Sequence, residues 1–464
     1  MSDLKPEKTT VDLLIERARK AQRVAEEYSQ ERVLELARAI ALTAIGNAEK
    51  WAGLTMEETG LGDLQSKINR INDRPRGVMR DLLTAKTVGI IEVDEKRDLI
   101  KLGKPVGVIG AIVPMTVPET VPIIKGMNSI MGRNAMIFSP HPRSRKITNL
   151  VVNEMRATMK RFGAPEDLFL CIETPTLEQS QELMQKCDLV IATGGQGLVK
   201  AAYSSGSPAY GVGTGNVVSV VEESADVAAA AEKIIGSKIN DLATGCSTEN
   251  SVLVQKTVYD AFIKAMQVGG AKLCNAEEKA KLQKVLWVDG HLNGNLICRP
   301  APVIAKSAGI TVPVDCKVLM VEENGYGPNH PFSGEKLSVV LTVFSYSDFD
   351  DAVNMVNGIQ AYQGAGHSCG IHSSNEDHIM QFALRTKTAR VMINSPQNKA
   401  NAGSFKNGMP FTISLGCGTW GGNSASENIT YKHYINTTWV ARWHEEWVQP
   451  DDDVLFGEIL AKFN

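Results

Sequence analysis

Cys246 has the setting of a reactive thiol. It lies in Asn240-Asp-Leu-Ala-Thr-Gly-Cys-Ser-Thr-Glu-Asn250, a small polar loop just ahead of an apolar run. Gly245 beside it leaves room for a substrate, and nearby backbone N–H groups can lower a thiol's pKa or hold an oxyanion. The other cysteines sit in ordinary contexts, and Cys171 and Cys187 adjoin apolar runs, as small core residues do. A second group of residues has the chemistry of nucleotide recognition. Thr193-Gly-Gly-Gln-Gly197 follows a strand-like run and opens a helix. There, backbone N–H groups and the helix N-terminus can approach a pyrophosphate. The spacing is not GxGxxG, and a tight turn without a ligand accounts for it equally. Gly211-Val-Gly-Thr-Gly-Asn216 has the same ambiguity. Ser139-Pro-His-Pro-Arg143 ends another strand-like run, the place where open α/β sheets bind ligands. The alternative is a Pro-rich turn with an exposed arginine.

These residues need a scaffold. Val11, Leu14, Ala18, Ala21, Ala25 and Tyr28 recur at helical spacing, and Val33, Leu36, Ile40, Ala44 and Ile45 do so again, predicting an N-terminal helix pair. Residues 87–103 alternate around a polar turn at Asp94–Arg97 and predict a β-hairpin. Apolar runs at 106–113, 134–138, 168–172, 188–192 and 217–221 alternate with helical stretches. That rhythm implies a parallel sheet covered by helices. A second series has strands at 251–255, 318–321, 338–344 and 390–394, with helices at 257–267, 348–357 and 375–384. The boundary is expected near 235–240, after an Ala-rich helix at 225–235. The expected units are a Rossmann-like dinucleotide-binding domain over 1–86 and 104–236 and an α/β catalytic domain over 237–428. Residues 87–103 and 429–464 form a β arm and tail.

Composition narrows the class. The chain has 464 residues, 43% hydrophobic and 22% charged, with a formal charge of −3, which excludes collagen-like, disordered and disulfide-scaffold proteins. Near-neutral charge and 6% aromatic residues leave no footprint for nucleic acid. No apolar stretch approaches the roughly 20 residues needed to cross a bilayer. No CxxC pair or metal site is expected, and the absence of a signal peptide predicts a reducing cytoplasm.

Several motifs occur together in order. They are Lys104-Pro-Val-Gly-Val-Ile-Gly-Ala-Ile-Val-Pro-Met-Thr116, Ile137-Phe-Ser-Pro-His-Pro-Arg143, Thr193-Gly-Gly and the Cys246 loop. Glu335-Lys-Leu-Ser338, Gly366-His-Ser368 and Leu415-Gly-Cys-Gly-Thr-Trp-Gly-Gly-Asn-Ser424 follow. Over nearly all its length the chain resembles the NAD(P)-dependent aldehyde dehydrogenase superfamily. Within it, the chain resembles the CoA-acylating branch, which includes acetaldehyde, succinate-semialdehyde and sulfoacetaldehyde dehydrogenases. The resemblance implies the aldehyde dehydrogenase fold, with Cys246 as nucleophile and Thr116 helping to hold the oxyanion. It implies a cofactor site, for NAD or NADP, of Pro114, Ser139, His141, Pro142, Arg143, Gly194, Gly195 and Glu335, the last on the nicotinamide ribose. Arg143 and Lys146 are placed to meet a 2′-phosphate, and the Ser139–Arg145 loop holds no acid to repel one. His367 matches a histidine of the acylating branch and would orient or deprotonate the thiol of coenzyme A, the co-substrate. A surface or core histidine is the alternative.

One departure bears on the reaction. Hydrolytic relatives carry a general-base Glu 34 residues before the cysteine, where this chain has Val212. Losing such a base costs water attack about 10²–10⁴-fold, whereas a thiol needs less help. Acyl transfer to CoA is therefore expected, ahead of a hydrolytic enzyme or a catalytically silent homologue. The aldehyde pocket is expected in Asn394–Gly408, through Asn394, Lys399, Ser404 and Lys406, suiting a short polar or anionic aldehyde. A solvated loop is the alternative for the lysines. The hairpin and Tyr434–Val440 resemble the family's oligomerisation arm, implying a homodimer or homotetramer. With no targeting helix ahead of the first helix pair and no fused alcohol dehydrogenase half, a free cytoplasmic enzyme is expected.

Overall fold

The computed structural model describes residues 7–463. Four helices open the chain: α1 (Thr10–Ala25), α2 (Gln30–Gly46), α3 (Ala48–Thr59) and α4 (Leu64–Leu82). The first begins on a capping box in which the Thr9 and Asp12 side chains each accept the other's backbone N–H. The expected pair buries the predicted stripes, Val11 to Ala25 on one helix and Val33 to Ala44 on the other. The sequence reading missed α4 because it is strongly polar and contains Pro75. Its buried face is sparse, with Ile71, Val78 and Leu82 interspersed with Lys67 and Gly77. Gly77 is needed there, since a Cβ would lie 2.1 Å from the Phe411 ring.

The strands β1 (Gly89–Asp94) and β2 (Leu99–Pro105) form the predicted hairpin. They are followed by β3 (Val108–Val113), β4 (Ala135–Pro140), β5 (Phe169–Cys171), β6 (Leu189–Thr193) and β7 (Ala209–Val212). These five make a parallel sheet in the order β5-β4-β3-β6-β7. Helices α5 (Val121–Met131), α6 (Arg145–Arg161), α7 (Leu177–Lys186) and α8 (Gln196–Tyr203) connect them. The strand order reverses between β3 and β6, the crevice where such sheets receive ligands.

Beyond it come β8 (Val217–Val221), α9 (Val227–Lys238), β9 (Glu249–Gln255), β10 (Ala271–Leu273) and a small hairpin of β11 (Trp287–Val288) and β12 (His291–Leu292). Then follow β13 (Val318–Glu322), β14 (Val340–Tyr346), β15 (Cys369–His372), β16 (Val391–Ile393) and β17 (Ile435–Ala441). A seven-stranded parallel sheet runs β10-β13-β14-β9-β8-β15-β16.

Sheet membership moves the boundary expected at 236. Strand β8 is hydrogen-bonded between β9 and β15, and Ala230, Ala231 and Ile234 of α9 pack in the second sheet's core. An all-apolar run such as Val217-Val-Ser-Val-Val suits either parallel sheet, so the sequence cannot choose between them. Gly213–Asn216 carries the chain across. The expected end of the catalytic unit at 428 also changes, because Ala402, Phe411, Leu415, Ile429 and Tyr434 pack into the first sheet's core. Residues 1–6 and 464, assigned above to the outer units, lie outside the described residues. Strand β17 pairs antiparallel with β2, Ile435 opposite Pro105 through Ala441 opposite Leu99, so the hairpin and the C-terminal stretch form one three-stranded arm. Among the described residues no helix is long and apolar enough to cross a membrane.

Candidate active site

A cavity of about 610 Å³ opens between the two parallel sheets. One wall comes from the C-terminal ends of the first sheet's strands: Pro114 and Thr116 follow β3, Ser139 ends β4, and Gly194 and Gly195 follow β6. The other comes from segments leading into the second sheet, with Cys246 ahead of β9 and Glu335 ahead of β14.

The Cys246 loop is held under backbone strain. Asp241, Leu242 and Ala243 have φ of 48°, 49° and 64°, the left-handed region that costs a side-chain-bearing residue about 1–2 kcal/mol. A buried charge cluster holds this turn. The Asp241 carboxylate accepts from Asp63 N–H (2.9 Å), Lys67 Nζ (3.1 Å), Arg70 Nη1 (2.6 Å) and Thr244 Oγ1 (2.6 Å). Burial opposes ionisation of Asp241, but Arg70 and Lys67 outweigh it and hold its pKa below the usual value. On the other side of the loop Gly215 has no alternative. A Cβ there would lie 1.9 Å from the Cys246 carbonyl oxygen. Gly215→Ala is expected to displace the nucleophile and lower aldehyde oxidation at least about tenfold. Steady-state rates at saturating substrates check this.

His367, two residues ahead of β15, is fully buried, and its Nε2 lies 3.2 Å from Cys246 Sγ. Its Nδ1 is 2.8 Å from Ser368 Oγ. Burial, helped by the Arg390 charge, drops the imidazole pKa to about 3, so the ring is neutral in working conditions. A proton on Nδ1, donated to Ser368, leaves Nε2 free to accept the thiol proton. Arg390 fixes the backbone behind the ring, donating to His367 O through Nε (3.1 Å) and Nη2 (2.8 Å) and to Gly416 O (2.5 Å). Burial pushes the Cys246 thiol up to about 12, with Glu335 and Cys417 adding to the rise and Arg390 opposing it. The resting site is thus a neutral thiol–imidazole pair. With His367 replaced by alanine, alkylation of Cys246 by iodoacetamide is expected to climb about tenfold per pH unit from 7 to 10 without a plateau, because the thiolate then forms only through solvent base and its fraction rises throughout that window. Mass spectrometry of the Cys246 peptide measures it.

The cofactor end has features that fit a dinucleotide. Gly195 is the N-cap of helix α8 and makes no side-chain cap, and it lines the cavity with Gly194, so the uncapped helix N-terminus lies at the cavity wall. Ser139 is tied to Ser180 (2.8 Å), and His141 and Pro142 line the cavity beside it. Glu335 Oε1 accepts Gly215 N–H (3.2 Å), and burial raises its pKa to about 8, leaving it protonated and able to donate to a sugar hydroxyl. Arg143 departs from expectation: it is exposed and does not line the cavity, while its N–H binds His141 Nδ1 (3.1 Å). An acid absent from the local loop also reaches this corner. Glu58 of α3 accepts the N–H groups of Lys146 (2.9 Å) and Ile147 (2.7 Å) at the start of α6.

The aldehyde end needs a larger correction. Asn394, Lys399, Ser404 and Lys406 do not line the cavity. Asn394 is exposed and clamps Ser373, accepting from its N–H (3.0 Å) and donating to its O (2.7 Å). Lys399 and Lys406 are exposed, and Ser404 Oγ accepts Lys406 N–H (3.1 Å). The expected segment does reach the cavity, but through its other face, from which Asn398 and Ala402 line it. The cations that do line the cavity are Arg70 and Arg74 of α4, which the sequence reading missed. Their i, i+4 spacing was the available signal, because it puts both on one face of a helix. Val212 ends β7 in the core, with its C=O accepting Gly194 N–H (3.2 Å). Glu335 is the one carboxyl group among the cavity-lining described residues.

Comparison with known proteins agrees with this geometry. The model of the aldehyde dehydrogenase family matches residues 5–279. The chain is 43% identical over 455 residues to a sulfoacetaldehyde dehydrogenase of an Acholeplasma species, covering 97% of this chain and 94% of the relative. It is 39% identical over 445 residues to a succinate-semialdehyde dehydrogenase (acetylating) of Clostridium kluyveri, covering 96% and 98%. A crystal structure of an acetylating aldehyde dehydrogenase from Geobacillus thermoglucosidasius superposes with a TM-score of 0.92 at 35% identity, covering 95% of this chain and 98% of that one. With its two parallel sheets, its thiol at the cleft between them and relatives matched over nearly their whole length, the chain belongs to the aldehyde dehydrogenase family.

Proposed function

We propose that the chain converts a short anionic aldehyde, CoA and NAD(P)⁺ reversibly into acyl-CoA, NAD(P)H and a proton. The observation that carries this reading is the Cys246–His367 pair, with Cys246 lining the cavity and His367 buried against its thiol, while the position of the hydrolytic base is Val212, packed in the core. Relatives named as acylating or acetylating, and acting on sulfoacetaldehyde and succinate semialdehyde, support it. In the first half-reaction His367 Nε2 takes the thiol proton as Cys246 Sγ bonds to the aldehyde carbon, giving a thiohemiacetal. Thr116, which lines the same cavity as Cys246, helps hold the carbonyl oxygen. Ser139, His141, Pro142, Gly194, Gly195 and Glu335 would hold the dinucleotide, whose nicotinamide supplies the hydride acceptor when bound. Loss of hydride and of the hydroxyl proton leaves a thioester on Cys246. The CoA thiol then gives its proton to His367 and attacks that thioester, and Cys246 leaves with the proton that His367 returns. One thioester replaces another, so the second half-reaction is close to balanced and the cycle runs both ways.

Mixing enzyme, aldehyde and NAD⁺ without CoA tests the intermediate. The expected result is a burst approaching one NADH per chain and an acyl adduct on the Cys246 peptide by mass spectrometry. Absence of both contradicts the covalent route. The eight cysteines, all free, suit a reducing cytoplasm. The exposed Ile90, Val93 and Trp439 of the three-stranded arm suit burial against a second copy in a homodimer or homotetramer, which light scattering checks.

A further inference from the structure

Arg70 and Arg74 project from one face of α4 into the cavity that holds Cys246 and Thr116, yet their surroundings differ. Arg70 is saturated. It donates to Asp241 Oδ2 (2.6 Å) and Glu119 Oε1 (2.8 Å), and with Lys67 on Asp241 the cluster contains two cations and two carboxylates. Arg74 makes no such pair. Its Nη1 donates to two backbone carbonyls, Ala402 O (2.6 Å) and Gly403 O (2.9 Å), and among the described residues no carboxylate lies within 4.0 Å of it. Those bonds, with the Phe411 ring 5.8 Å from its Cζ, fix the guanidinium while leaving the N–H groups of Nε and Nη2 without an acceptor among the described residues. Burial, then the neighbouring Arg70, lower its pKa to about 10, so it stays charged at neutral pH in a place that opposes charge. Glu335, the lining carboxyl group, is engaged by Gly215 and does not neutralise it.

We propose that Arg74 is the specificity-determining residue that binds the anionic end of the aldehyde, a sulfonate or carboxylate, while the carbonyl end meets Cys246. A guanidinium fork matches either oxyanion group, and a charge-assisted bond in a low-dielectric cavity is stronger than the same bond in water. The neutral Arg70 cluster holds the Cys246 loop, and Arg74 one turn further along the helix is left to meet substrate. The inference deepens the acylating reading above and rests on it.

The test compares kcat/KM for succinate semialdehyde, sulfoacetaldehyde and propanal in the wild type, Arg74→Gln and Arg74→Lys. In Arg74→Gln the ratio of kcat/KM for either anionic aldehyde to that for propanal is expected to fall about 100-fold, mainly through KM. Arg74→Lys, which keeps the charge, is expected to fall between. Ethanesulfonate is expected to inhibit the wild type competitively against aldehyde and to lose that inhibition in Arg74→Gln. A ratio unchanged within about threefold overturns the proposal, whether or not absolute activity falls, because a purely structural arginine affects all three substrates alike. A rise in KM for CoA in place of the aldehyde also overturns it, since the anion bound would be a CoA phosphate. NADH formation in the wild type that ignores CoA refutes the acylating reading instead, whatever Arg74 does.

Discussion

Replacing Cys246 by alanine is expected to lower aldehyde oxidation by at least about 10⁴-fold while NAD⁺ binding changes little. The residual rate has no thiol route, since no other cysteine among the described residues lines the cavity. The fold should survive, because Cys246 only partly packs against the core and the loop is held by Asp241 and by the fit of Gly215 beneath it. Stopped-flow NADH absorbance reads the chemistry, and quenching of intrinsic tryptophan fluorescence reads cofactor binding. Retention of a tenth of wild-type turnover would refute the nucleophile assignment.

The second large effect concerns His367. His367→Ala removes the group that accepts the thiol proton and is expected to cost about 10²–10⁴-fold in kcat at pH 7. The sign of the pH effect follows from the resting state. Burial puts the Cys246 thiol at about 12, so without His367 the thiolate must form through solvent base, and its fraction rises tenfold per pH unit. The variant's deficit should therefore shrink from pH 7 to 10, and added imidazole should restore part of the rate. The wild type should be flatter over that range, because burial and Arg390 hold the imidazole near 3 and it is already a free base. A deficit independent of pH and of imidazole would reduce His367 to a packing role.

The parts legible in the sequence are those with local causes. Apolar runs alternating with helical stretches imply parallel sheets covered by helices, and β3 to β6 lie where those runs are. The hairpin's polar turn and the polar loop before β9 were likewise visible. The exchange of β8 between sheets was not, because hydrogen-bonded neighbours of a fully apolar strand lie far away in sequence: β8 pairs β15 through Cys369 opposite Val218. Resemblance alone pointed to His367, whose partnership with Cys246 spans 121 residues. Arg70 and Arg74 went unseen because α4 is polar on most of its surface, and a buried arginine in such a helix looks like a solvated one. Lys399 and Lys406 made the opposite error, as charged residues in the right segment that face water.

The central claim is that CoA, and not water, takes the acyl group from Cys246. It is tested most directly by following steady-state NADH formation from succinate semialdehyde with and without free CoA, with the products identified by mass spectrometry. The expected result is sustained turnover only with CoA, one acyl-CoA formed per NADH, and turnover at least about 100-fold slower in its absence. Equal turnover without CoA, with free acid accumulating, would contradict the account.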